Sequence, residues 1–205
     1  MKKLYFMSLL AIVMVACSQS PEDKANKLIK AELRKTLYKP ESYKPIDTNI
    51  DSAFAPLNDP AFFELLNEVA IIGKEVEDLN RTMKDAKSTI AIYSGPYQSA
   101  YDKNRITEAK EEYDLAEKKY DKLLDKGKKV YLEIVQELAK EPKFIGYIAT
   151  HNYRADNNAG NTLIGNGVFI IDPDFKKVLF KCEMEDYNEI QDNINTLVEQ
   201  IKETE

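Results

Sequence analysis

Two long runs of apolar residues, stepping alternately by three and four positions, constrain this chain more than any other feature. The first is Phe62, Leu65, Val69, Ile72, Val76, Leu79, Met83, Ala86 and Ile90; the second is Ile106, Ala109, Tyr113, Ala116, Tyr120, Leu123, Gly127, Val130 and Ile134. A repeat of this period puts its members on one stripe of a helix and leaves the remaining positions, here heavily charged, to solvent. Asp59 and Pro60 open the first helix, Gly127 is the one weak position of the second, and Ser94, Gly95 and Pro96 separate the two. Helices of similar length joined by so short a break fold back as an antiparallel hairpin. At 1.5 Å per residue each arm is roughly 50 Å long, and such a rod is expected to stand clear of the rest of the protein.

The flanks read differently. Ser20, Pro21 and Asp23 supply a capping side chain, a proline at the first helical position and a carboxylate in the first turn. Ala25, Leu28, Ile29, Leu33 and Leu37 then share a helical side, with Glu32 inside the stripe, as far as Pro40. From Tyr43 to Phe54 the period is two, with Ile46, Thr48, Ile50, Ser52 and Phe54 on one face. After Pro142 the same period gives strands at 144–155, 162–171 and 177–183, the last two joined by a turn at Asp172, Pro173 and Asp174. Asp186 is expected to cap a final helix striped by Tyr187, Ile190, Ile194, Leu197 and Ile201, with Glu189 completing a capping box. A lone strand is not stable, so 43–54 should join the later three. The fold class is thus α+β: a four-stranded antiparallel sheet with N- and C-terminal helices, interrupted by a coiled-coil hairpin. The expected division is 1–16, a discontinuous α+β domain of 17–57 plus 142–205, and an insertion at 58–141.

The first sixteen residues have the form of a secretory signal: Lys2 and Lys3, an apolar stretch from Leu4 to Val15 broken only by Ser8, and Ala16 before Cys17. The stretch is too short for a spanning helix, which needs about 20 apolar residues. Met14, Val15, Ala16 and Cys17 resemble the lipobox of bacterial lipoproteins, with Met14 in place of the commoner leucine. The resemblance implies that Cys17 becomes an acylated N-terminus, giving the stable anchoring that two or more chains provide. Ser18 resembles an outer-membrane address. Glu22 and Asp23 loosely resemble the acidic tag of surface lipoproteins in the Bacteroidetes group. Asp51, Ser52 and Ala53 resemble the O-glycosylation site of exported proteins in that group, with Ser52 as acceptor. Pro40 to Tyr43 together with Asn152 to Gly160 resemble a small domain of bacterial exported proteins to which no activity attaches; that resemblance bears on fold alone.

Loss of Lys2 and Lys3 with the signal leaves 27 basic against 35 acidic side chains, a charge of −8. That balance disfavours nucleic acid and anionic lipid headgroups as partners. With Cys17 acylated, Cys182 is the one remaining thiol and no internal disulfide is available. His151 is the only histidine, which leaves no pair at zinc-ligand spacing. A Cys182–His151 dyad is weighed against an inert thiol on a face shared with Val178 and Phe180, and the inert thiol is preferred. The run Asp156 to Asn161 has oxygen side chains at alternate positions, but Gly160 falls where a calcium loop needs a ligand and no glutamate closes it. Asn157, Asn158 and Gly160 suit a left-handed turn without any ion. No phosphate-cradling loop or serine elbow appears. The expectation is a non-enzyme with no cofactor and no metal.

Tyr93, Tyr97 and Tyr101, four residues apart around the break, are candidates for a contact surface; the alternative is that they pack on one another to close the coil. Two functions follow. One is an outer-envelope lipoprotein held to the bilayer through Cys17, whose hairpin meets a protein partner or a second copy. The other is a small-ligand or glycan-binding module using the sheet face and the 151–161 loop, with His151, Tyr153, Asn157 and Asn158 as its candidate residues.

Overall fold

The computed structural model describes residues 20–204, so Cys17 and the expected signal at 1–16 lie outside the described residues. Helix α1 (Pro21–Leu33) is followed by a single 3-10 turn (Pro40–Ser42), strand β1 (Lys44–Ala55), helices α2 (Pro60–Tyr93) and α3 (Ala100–Leu138), strands β2 (Lys143–Asp156), β3 (Thr162–Ile171) and β4 (Val178–Glu183), and helix α4 (Met184–Thr204). The chain forms two compact units. One runs up to Asp59 and resumes from Pro142 to Gln200; the other is Pro60–Glu141, together with the residues from Ile201 onward. Among the described residues no helix is long and apolar enough to cross a membrane.

In the helical unit all eighteen positions of the two apolar runs are buried or half-buried, with Phe62, Ile72, Ala86, Ala109, Ala116, Val130 and Ile134 the deepest of the inner seam. The arms are antiparallel, since partners on α3 fall in number as those on α2 rise. Glu68 pairs with Lys126 at 2.7 Å, the Lys87 ammonium lies 4.9 Å over the Tyr113 ring, and Tyr93 meets Tyr101. A Cβ on Gly127 would stand only 3.3 Å from Cγ2 of Ile72, so the glycine lets the two arms approach there. At 34 and 39 residues the arms are about 50 and 60 Å long.

In the other unit the strands form one antiparallel sheet in the order β1-β2-β3-β4. Helix α1 starts as its sequence dictates. Ser20 Oγ accepts from the Asp23 amide while the Asp23 carboxylate accepts from the Ser20 amide, which satisfies two of the helix's free donors. Its Ala25, Ile29 and Leu33 bury against Ala149, Tyr153, Phe169 and Ile171 on one face of the sheet. Glu32 stays at the margin of this stripe, held by Lys35 and by Lys181 of β4 at 3.6 Å. The hydrogen bond from Lys35 and then the charge of Lys181 keep its carboxyl below the usual range, against the opposing effect of burial. On the opposite face Ala53, Val168 and Ile170 are fully buried, as is Ile194 of α4.

Several details depart from the periodic reading, beginning with Ile46, an extra residue in β1 because Pro45 pairs with Tyr153 and Asp47 with Asn152. Ala53 pairs with Gly146 but Phe54 pairs with Phe144, so Ile145 is an extra residue and the β1–β2 ladder bulges. A further irregularity places Phe180 opposite Ile170 but Val178 opposite Ile171. Val178 therefore joins the α1 side of the core while Phe180 and Cys182 point the other way, so the face they were expected to share with Val178 is split. Helix α4 also begins at Met184, straight out of β4, which leaves Asp186 inside the first turn rather than at a cap.

Candidate functional site

The sheet face beneath α1 holds the chain's only histidine. His151 on β2 is fully buried, and both ring nitrogens are engaged. Nε2 lies 2.9 Å from the Tyr43 hydroxyl and Nδ1 lies 2.8 Å from Thr48 Oγ1. Thr48 spends its one hydroxyl proton on Asn26 Oδ1 at 2.6 Å, so it can only accept from His151. Nδ1 therefore carries a ring proton, and in the neutral imidazole, which burial favours, Nε2 accepts from Tyr43. One chain of hydrogen bonds, Tyr43 to His151 to Thr48 to Asn26, ties α1, β1, β2 and the segment before β1 together.

Burial lowers the His151 pKa, partly offset by Asp47, and pushes the Tyr43 hydroxyl up to about 12. Tyr43, Tyr153 and Phe169 surround the imidazole at ring separations of 6.0, 5.8 and 6.3 Å. Space for these rings comes from β3, where Gly167 stands opposite His151 and Gly165 opposite Tyr153. A Cβ on Gly165 would lie 2.3 Å from the Tyr153 ring.

His151 and Tyr153 therefore belong to the core. Asn157 and Asn158 sit apart from them in the β2–β3 turn. There Asn157 Oδ1 accepts from the Asn161 amide at 3.0 Å, the Asn157 carbonyl accepts from Gly160, and Asp156 accepts from Thr162 at 2.7 Å. Gly160 takes φ +85°, the left-handed geometry that its sequence context called for. The loop's oxygens close the turn on itself, and among the described residues no three His, Cys, Asp or Glu side chains converge as metal ligands.

Cys182 is opposite Val168, whereas His151 is opposite Gly167; alternation puts the two side chains on different faces of the sheet, and a dyad between them is geometrically impossible. Burial, with the charges of Asp186 and Glu183, raises the Cys182 thiol to about 11, which leaves it protonated and unreactive at neutral pH.

At the hairpin end, Ser99 and Asp102 form a reciprocal capping box at the start of α3, with Ser99 N to Asp102 at 2.8 Å and Asp102 N to Ser99 Oγ at 3.2 Å. Tyr93 and Tyr101 meet edge to face at 6.0 Å. Tyr97 does not join them: it is 95% exposed, and Ile92 nearby is 75% exposed. Two of the three tyrosines thus pack on each other, and the third faces solvent. Ser52 is exposed on β1, an edge strand of the sheet. The sequence singled out neither Asn26, Thr48 nor Tyr43 as partners of the histidine; the glycines at 165 and 167, two apart on one strand face, were the available signal that large rings lie across β3.

Comparison with protein-family models, with curated proteins and with solved structures finds no match.

Proposed function

We propose that this chain is a cell-envelope lipoprotein, acylated at Cys17 and held at the outer membrane, that works by contact and not by catalysis, with the hairpin tip as its contact surface. The observation that carries the reading is Tyr97, a large amphipathic ring 95% exposed on a turn whose ends are pinned by the Tyr93–Tyr101 pair and the Ser99–Asp102 box. A rigid aromatic presented this way gives much contact area for little ordering cost. Away from the Tyr93–Tyr101 pair, the other exposed large apolar residues of the helical unit, Ile71, Ile92, Leu115, Tyr131 and Leu132, lie off the inner seam and are spaced too irregularly to make a second stripe. The ligand-module reading loses support because its aromatic members are interior.

A photo-crosslinking side chain placed at Tyr97 in intact cells is expected to yield a discrete protein adduct, which a crosslinker at exposed Tyr38 does not give. No adduct at Tyr97, or the same adducts from both positions, would remove the contact role.

A further inference from the structure

We propose that the aromatic band Phe54, Phe144, Tyr147 and Phe175 is a bilayer contact that seats the α+β unit on the membrane; this rests on the lipid attachment at Cys17 proposed above. The rings run in sequence across one end of the sheet. Phe54 meets Phe144 at 5.9 Å, Phe144 meets Tyr147 at 5.5 Å, and Tyr147 stacks on Phe175 at 4.6 Å. Phe54 and Phe144 remain 43% and 41% exposed, and Leu57 beside them is likewise exposed. Phe175 is held in this row by a left-handed backbone, φ +57°, a conformation costly for a bulky residue.

What covers this band follows from where the chain's N-terminal end lies. The Lys24 ammonium sits 5.7 Å over the Phe175 ring, and the Lys24 amide bonds to the Ser20 carbonyl in the first turn of α1. Cys17 precedes Ser20 by three residues, a tether of at most about 10 Å even when fully extended. The lipid on Cys17 therefore brings the headgroup region to the same end of the unit as the band. Aromatic rings partition into that region, and a lysine at its margin can extend its ammonium toward phosphates while its stem stays on the ring. The acyl chains alone supply anchoring, so the band acts on orientation: it fixes which end of the sheet faces the bilayer.

The chain contains no tryptophan, so Phe144→Trp creates a unique reporter in the full-length acylated protein, and Tyr38→Trp serves as the control at an exposed site elsewhere on the unit. Each variant is reconstituted into phosphatidylethanolamine and phosphatidylglycerol vesicles whose acyl chains carry bromine, with co-sedimentation recorded in parallel. The Phe144→Trp protein is expected to lose most of its emission relative to unbrominated vesicles while the Tyr38→Trp protein keeps its own. Co-sedimentation with unquenched Phe144→Trp emission would overturn the band and leave the anchor standing; a blue-shifted but unquenched spectrum would do the same by assigning the band to a protein neighbour or a second copy. Failure to co-sediment would overturn the anchor and the band with it.

Discussion

His151 is the residue at which charge and folding are most directly coupled. Its neutral form completes a one-way chain of hydrogen bonds from Tyr43 to Asn26, and a second ring proton would displace the one that Tyr43 donates. Because burial depresses its pKa below the ordinary histidine value of about 6.5, the unfolded chain binds a proton that the folded chain refuses. Stability from this residue is therefore fully present above pH 6.5 and is lost as pH falls below it, by at most about 1.4 kcal/mol per pH unit. Thermal denaturation at pH 7.5 and 5.5 is expected to show a fall in midpoint that His151→Gln flattens; parallel pH profiles would refute the assignment. Two glycines have equally local roles. At Gly146, φ is +141° and a Cβ would lie 2.0 Å from the Ile171 carbonyl oxygen, so Gly146→Ala should cost about 3 kcal/mol or more in denaturant unfolding. Gly165→Ala must displace the Tyr153 ring and should cost about 2 kcal/mol. The hydrogen-bond chain through His151 could not be read from spacing, because its members come from separate segments and only the folded sheet brings them together.

The elements were far more legible than the site. A helical stripe of nine residues on each arm leaves little freedom, and each of those residues lies in or beside the seam. The Ser20 and Asp23 cap likewise followed from residue types alone. What the period could not show was where it breaks. An extra residue at Ile145 and another between Val178 and Phe180 each reverse the facing of everything beyond them, and bulges carry no strong local signature unless a glycine such as Gly146 marks them. Helix α4 likewise starts without the expected cap because it continues directly from β4. The two mid-helix glycines separate propensity from packing. Gly73 has open space where a Cβ would go, so Gly73→Ala should stabilise the protein by up to about 1 kcal/mol. Gly127→Ala brings the same propensity gain but pushes on buried Ile72 at 3.3 Å, and a chemical-denaturation series should find it the less stabilising of the two. Equal gains would mean that the seam is slack at this point.

At the scale of the molecule, a chain with 35 acidic against 29 basic side chains is not drawn to an anionic membrane by charge. In the proposed lipoprotein, attachment comes from the lipid on Cys17 and orientation from the aromatic end of the sheet. Ser52 bears on this, because it pairs with Tyr147 across the β1–β2 ladder, so a glycan there would overlie the band. With the band against the bilayer, Ser52 is expected to be bare. Both points rest on covalent chemistry that a single measurement reads: the intact mass of the protein extracted from cell membranes. The expected mass is that of residues 17–205 plus a diacylglyceryl group and an amide-linked acyl chain, with no sugar, and Cys17→Ala should abolish the lipid increment. A membrane-extracted protein with the mass of residues 17–205 alone, or of the full 205 residues, would contradict the account.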